Sequence, residues 1–372
     1  MIELRQLIEQ EIREGGAIPF SRYMELCLYH PEFGYYSRNA AQFGKAGDFY
    51  TSSDVHAVFG RLLARQFEEM WRALGSPEHI ALTELGPGRG LFAQDVLEWA
   101  EKKFPDFFRA LHYVLDERSP ALRQRITATL SRHFESGKAV LSCENVSNPK
   151  IIFANEFFDA LPVEIVSSEG SLRIDARNGR FVETWVVSSP EEVEFLDRYS
   201  IHPEAGERVE VSLEAQDLMS AASNLECGFV VVIDYGYTRE EQRAGRHRGT
   251  VKAIRQHSIS ANPYEAPGEQ DITADVNFTA LAAAAGKQGM LAQKIVTQSQ
   301  FLLGIGEANE FADAFEECRL PQERAKVALQ LKHLVTPAGM GESFHVLAAS
   351  KGVEEEKVGT LAGLSFGRMA RP

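Results

Sequence analysis

The chain has 372 residues, of which 39 are Lys or Arg and 53 Asp or Glu, a net charge of −14. This length predicts a main domain with additions, or two domains, rather than one compact core. The apolar share of 44% and charged share of 25% are those of a globular protein with a sizeable interior. An acidic surface repels phosphate backbones, which makes nucleic acid a disfavoured partner and a basic protein or peptide a better match to the field.

Cys27, Cys143, Cys227 and Cys318 are widely spaced and form no CxxC pair. No metal site or disulfide framework is expected, and reduced thiols fit a cytoplasmic protein. No apolar run is long enough to span a bilayer, so no membrane insertion is expected. Met1–Gln10 reads as neither a signal peptide nor an acid-poor transit peptide.

Leu4, Leu7, Ile8 and Ile12 recur at helical spacing and predict a helix over 3–14, stopped by Gly15-Gly16. A second helix is expected at 20–29. Residues 34–54 read as one long loop, a kind of segment that often carries function. Helical spacing returns over 55–74. Strands and helices then alternate: strands at 79–84, 111–115, 139–141 and 151–154, with helices at 91–102 and 120–133. Such alternation predicts crossovers and a parallel sheet. Residues 161–212 change character into short alternating strands with a hairpin signal at Asn178-Gly179. A helix at 213–225 and the strand Phe229–Asp234 rejoin the main sheet. Residues 236–273 read as a polar loop, followed by helices at 274–285, 307–317 and 321–334 and a last strand at 343–349.

Glu84-Leu-Gly86-Pro-Gly88-Arg-Gly90 lies between the first sheet strand and its helix. Glycines in a first βα turn let the backbone approach a ligand at the carboxyl edge of the sheet. A dinucleotide fingerprint needs G-x-G-x-x-G. Here the third glycine comes one residue early, and Glu84 would sit unfavourably beside a pyrophosphate. The sulfonium and ammonium of S-adenosyl-L-methionine suit an acidic strand end, and E/D-x-G-x-G-x-G is the usual turn of class I methyltransferases; a plain tight βα turn is the alternative. The second strand ends in Asp116-Glu117, where a carboxylate can accept bonds from both ribose hydroxyls or simply face solvent. The fourth strand ends in Asn155-Glu156-Phe157-Phe158-Asp159. Asn155 can orient cofactor or acceptor, and Glu156 with Asp159 could clamp a guanidinium. Asn155 or Asp159 could equally cap the following turn.

The chain resembles the MidA family of class I methyltransferases, whose mitochondrial members are arginine methyltransferases required for respiratory complex I assembly. The resemblance rests on Ile18–Leu26, Leu28–Tyr36, Gly47–Val55, the glycine turn, Asn155–Pro162, Ile233–Gly236, Pro267–Phe278, Thr297–Gly304 and Met340–Phe344. It implies that Glu117 is the ribose acid, because Ser119-Pro120 keeps the family register while Asp116 replaces an apolar residue. It implies that Thr51 and Ser52 lie near the methionine end of the cofactor, and Asp271, Asp275 and Asn277 on the substrate side. The expected fold class is α/β: a Rossmann-like class I methyltransferase sheet with an N-terminal helical extension and a β-rich and helical insertion. The expected division is 1–75 for the extension and covering loop, 76–160 for the cofactor-binding core, 161–212 for the β insertion and 213–372 for the remainder. The implied function is S-adenosylmethionine-dependent methylation, with an arginine of a protein as acceptor. A small-molecule or other side-chain acceptor, and a cofactor-binding assembly factor, remain the alternatives.

Overall fold

The N-terminal helix forms where its periodicity places it: Leu4, Ile8 and Ile12 are buried along one face of Leu4–Gly15. Glu3 and Gln6 close a capping box, and Gly16 at φ 84° ends the helix. The computed structural model describes residues 3–38, 57–141, 150–255, 258–260 and 262–366. The chain divides into two compact units. The first comprises Met1–Phe49, Phe157–Ala221 and Tyr235–Ala284; the second comprises Tyr50–Glu156, Ala222–Asp234 and Ala285–Pro372.

The second unit is built on the main sheet. Its strands lie in the order Ala139–Leu141, Leu111–Asp116, Ile80–Leu85, Lys150–Asn155, Gly228–Tyr237, Phe344–Lys351, Leu291–Ala292. The first five are mutually parallel, and Leu291–Ala292 runs antiparallel to Phe344–Lys351. The strands from Ile80–Leu85 to Leu111–Asp116 and Ala139–Leu141 are added to one side, and Lys150–Asn155 lies on the other. The order therefore reverses between Ile80–Leu85 and Lys150–Asn155, where an open α/β sheet leaves a crevice beyond its carboxyl ends. This is the open α/β sheet that the sequence predicts. Phe92 from the helix Leu91–Lys103 stacks on Phe153 at 4.7 Å between centroids, and Phe67 from Ala57–Ala73 meets Phe153 edge-on. Burial of these rings fixes helices on the sheet face.

The first unit carries the antiparallel sheet Ile18–Pro19, Gly170–Arg177, Glu164–Ser167, Arg208–Val211, with Arg180–Val186 paired to Gly170–Arg177. Asn178 and Gly179, both at positive φ, turn the expected hairpin. The two N-terminal helices share a core with this sheet, including Ile8, Phe20, Tyr23, Leu172 and Ile174.

Several expectations are corrected. The segment read as loop from residue 34 begins with the short helix Tyr35–Arg38; residues 39–56 lie outside the described residues. The segment read as a polar loop over 236–273 holds the helix Arg239–Arg243 and a three-stranded sheet, Lys252–Arg255 between Ser258–Ser260 and Asp271–Thr273. Strands of three or four residues are too short for alternation to register. The helix expected at 307–317 is Gln298–Glu307 followed by Ala312–Phe315. The helix expected over 120–133 breaks at Leu130 into Pro120–Thr129 and Ser131–Glu135.

Candidate active site

The strand Ile80–Leu85 buries Glu84, which is 5% exposed. The Tyr113 hydroxyl donates to Glu84 Oε2 at 2.7 Å. Burial, reinforced by the nearby charge of Glu117, pushes the Glu84 carboxyl up to about 8 although the Tyr113 bond opposes it. After Leu85 the chain turns on Gly86, Gly88 and Gly90, at φ 64°, 55° and 77°, conformations that side chains with a Cβ rarely adopt. Gly86 N–H donates to Asp116 O at 3.0 Å and Gly90 N–H to Pro87 O at 2.8 Å. A Cβ built on Gly88 meets nothing within 4 Å, so this part of the turn faces open space.

At the end of the neighbouring strand Asp116 is exposed while Glu117 is partly buried. Ser119 N–H donates to Glu117 Oε1 at 2.8 Å, and burial raises the Glu117 carboxyl. Ser119 also caps the helix Pro120–Thr129. One buried and one partly buried acid are thus held toward their neutral forms beside a left-handed glycine turn. A cationic ligand with hydroxyl donors would ionise the first and satisfy the second. The donor set fits S-adenosyl-L-methionine.

On the other side of the reversal, Lys150–Asn155 ends with Asn155 Nδ2 donating to Glu156 Oε1 at 3.2 Å. Glu156 N–H still donates to Ile233 O at 3.0 Å. Glu156 itself adopts φ 48°, a left-handed conformation that costs a non-glycine residue about 1–2 kcal/mol and that concentrates at functional positions.

The remaining acidic candidates belong to the first unit. Asp159 lies on the 3-10 turn Phe158–Ala160, is 5% exposed, and its carbonyl accepts from Ala274 N–H at 2.9 Å. Asp271 accepts from the Tyr36 hydroxyl at 3.0 Å, and Asp159 also acts on that phenol, so these two aspartates come together around Tyr36. Asp275 does not join them. It pairs with His247 Nδ1 at 2.8 Å and Lys252 Nζ at 3.1 Å. Burial works against its charge, but these two partners outweigh it and hold the carboxyl below its usual range. Asn277 is 3% exposed, donates to Tyr199 O at 2.9 Å and accepts from Ala280 N–H at 3.0 Å; it caps Phe278–Lys287. Thr51 and Ser52 lie outside the described residues. Among the described residues no group of His, Cys, Asp or Glu could hold a metal ion, and no helix is long and apolar enough to cross a membrane.

Sequence reasoning missed Tyr113, Tyr36 and His247. The signal for Tyr113 was available: a tyrosine on a buried strand beside that of Glu84 needs a partner for its hydroxyl.

Residues 62–296, more than half of the chain, match the family described as "Putative S-adenosyl-L-methionine-dependent methyltransferase". The chain belongs to this methyltransferase family. The matched span contains both the glycine turn and Asn155-Glu156, and the cofactor is S-adenosyl-L-methionine. The methyltransferase is 30% identical to the Drosophila melanogaster protein named "Protein arginine methyltransferase NDUFAF7 homolog, mitochondrial", over 94% of this chain and 85% of that relative. It is 28% identical to the Homo sapiens protein named "Protein arginine methyltransferase NDUFAF7, mitochondrial", over 93% of this chain and 82% of the relative. A crystal structure from Burkholderia thailandensis, bound to S-adenosyl-homocysteine, superposes with a TM-score of 0.81 at 27% identity, covering 94% of this chain and 92% of that one.

Proposed function

We propose that this methyltransferase modifies an arginine of a protein substrate. The observation that carries the reading is Glu156: a carboxylate held in a left-handed conformation at the sheet's order reversal, with its orientation shared by Asn155. The names of the relatives, protein arginine methyltransferases, support the same acceptor. A carboxylate that accepts two N–H bonds from a guanidinium concentrates positive charge on those nitrogens and leaves the third more nucleophilic. We assign this orienting role to Glu156, with Asp159, three residues on, assisting. Asn155 contributes an amide that both donates and accepts.

When bound, S-adenosyl-L-methionine supplies an electrophilic methyl group on a sulfonium. Glu84, Gly86, Gly88, Gly90, Glu117 and Asn155 are assigned to hold it, and the family resemblance adds Thr51 and Ser52. The same resemblance places Asp271, Asp275 and Asn277 on the acceptor side. Of these we keep Asp271, because the described bonds of Asp275 and Asn277 give them structural work.

A subunit of a respiratory NADH dehydrogenase is the first acceptor to test. The described cysteines Cys27, Cys227 and Cys318 are free, which supports a reducing compartment such as the cytoplasm; the relatives are named as mitochondrial, and cell fractionation separates the two. The enzymatic test is transfer of labelled methyl to an arginine peptide by wild type and Glu156→Gln. The expected result is at least a hundredfold loss in turnover with unchanged cofactor affinity. Undiminished turnover in the variant removes Glu156 from the reaction.

A further inference from the structure

We propose that Tyr29 and Tyr36, with Asp271 and Asp159, form the recognition site for the acceptor's cationic side chain, and that their rings select a planar guanidinium over an ammonium. The inference rests on the arginine reading above and adds to it two residues and a selectivity.

All four residues belong to one compact unit. The rings of Tyr29 and Tyr36 lie 5.5 Å apart at 35°, and Tyr35 backs Tyr36 edge-on at 5.4 Å. Tyr35 is buried, whereas Tyr29 leaves 41% of its surface exposed. An exposed ring beside buried carboxylates presents an aromatic face and negative charge to the same visitor. The Tyr29 hydroxyl donates to Ala160 O at 2.9 Å, which ties the ring to the turn that carries Asp159. That turn is joined in its own right to the strand end of Asp271: Ala274 N–H donates to Asp159 O at 2.9 Å. The Tyr36 hydroxyl fixes Asp271 Oδ1 at 3.0 Å. Burial, then Asp271, Tyr29 and Asp159, drive the Tyr36 phenol well above its usual range, so it stays a donor at every working pH. Both carboxylates, Asp271 and Asp159, act on this phenol.

A guanidinium gains twice here. It stacks on an aromatic face and donates a planar, forked pair of N–H bonds to a carboxylate, whereas a compact, strongly hydrated ammonium gains less from each.

The test measures binding to the full chain loaded with S-adenosyl-homocysteine, by calorimetry, of an arginine peptide and the same peptide with lysine in its place. Wild type is expected to bind the arginine peptide about tenfold more tightly than the lysine peptide. Tyr29→Leu is expected to lose most of that preference. Tyr36→Phe keeps the ring but removes the hydroxyl's bond to Asp271, and is expected to weaken both peptides severalfold with the preference retained. S-adenosyl-homocysteine affinity stays at the wild-type value in both variants. Equal binding of the two peptides by wild type, binding of neither, or an unaltered preference in Tyr29→Leu overturns the proposal. If wild type shows the preference and the variants behave as expected but no methyl reaches arginine, the recognition site stands and the arginine methylation reading fails. If methyl reaches arginine with the same KM in wild type and Tyr29→Leu, the reverse holds.

Discussion

Glu84→Gln isolates the electrostatic cost written into the cofactor turn. The Glu84 carboxyl, buried and raised from 4.5 to about 8, is neutral in the folded ligand-free chain while its unfolded counterpart is ionised. Between these two values the unfolded state binds fewer protons, so this group's contribution to stability is present below about pH 4.5 and is lost as pH rises toward 8. The full shift corresponds to about 5 kcal/mol, at about 1.4 kcal/mol per pH unit. Cofactor binding carries the opposite sign: a cationic ligand prefers the carboxylate, so affinity for S-adenosyl-L-methionine rises about tenfold between pH 6 and 7, both below that value. Glu84→Gln removes both slopes. Denaturant unfolding of the ligand-free chain from pH 5 to 8, paired with calorimetric titration of the cofactor, reads them. The wild-type-minus-variant stability difference should shrink or change sign as pH rises, while the variant binds cofactor weakly and without that pH dependence. Parallel wild-type and variant curves would refute the reasoning, because Glu84 would then not change protonation on folding or on binding.

Three further predictions concern other links in the chain from sequence to site. Gly88→Val places a β-branched residue at φ 55°, a strain of about 1–2 kcal/mol, and should abolish S-adenosyl-homocysteine binding by calorimetry; intact binding would move the cofactor away from the turn. Asn277→Ala should lower stability by about 2 kcal/mol through loss of the cap and of the bond to Tyr199, with acceptor KM unchanged; a raised KM at full stability would restore it to the substrate side. Asp313, 2% exposed, accepts from Arg65, from Trp99 Nε1 at 3.2 Å and from Asn309 at 2.7 Å, so Asp313→Ala should cost about 3 kcal/mol in denaturant unfolding. A loss below about 1 kcal/mol would show that these donors find other partners.

The parallel sheet was legible because its strands are short apolar runs closed by turn signals, and the glycine spacing by itself locates the turn. What escaped was structure whose cause is distant in sequence. The helix Gln298–Glu307 contains Gly304 and Gly306, which weaken a helical reading. A Cβ at Gly304 would lie 2.4 Å from Ala362 O, and one at Gly306 would strike the Phe311 ring; close approach outweighs propensity there. The helix Pro190–Tyr199 falls within the stretch read as short strands, although Ser189, Pro190 and Glu192 spell its capping box. The site divides in the same way. Glu84, Asn155 and Glu156 declare themselves by lying at strand ends. Tyr36 does not, because its partner Asp271 lies 235 positions away in sequence. Asp275 differs from Asp271 in its pairing with His247 and Lys252, partners that its place in the chain does not announce.

The acceptor is tested most directly by incubating the wild-type chain with labelled S-adenosyl-L-methionine and a cell lysate, then identifying the labelled residue by mass spectrometry. The account predicts methylarginine in protein, absent with Glu156→Gln at equal cofactor affinity. Label on a small molecule or on another side chain, with arginine unlabelled, would contradict it.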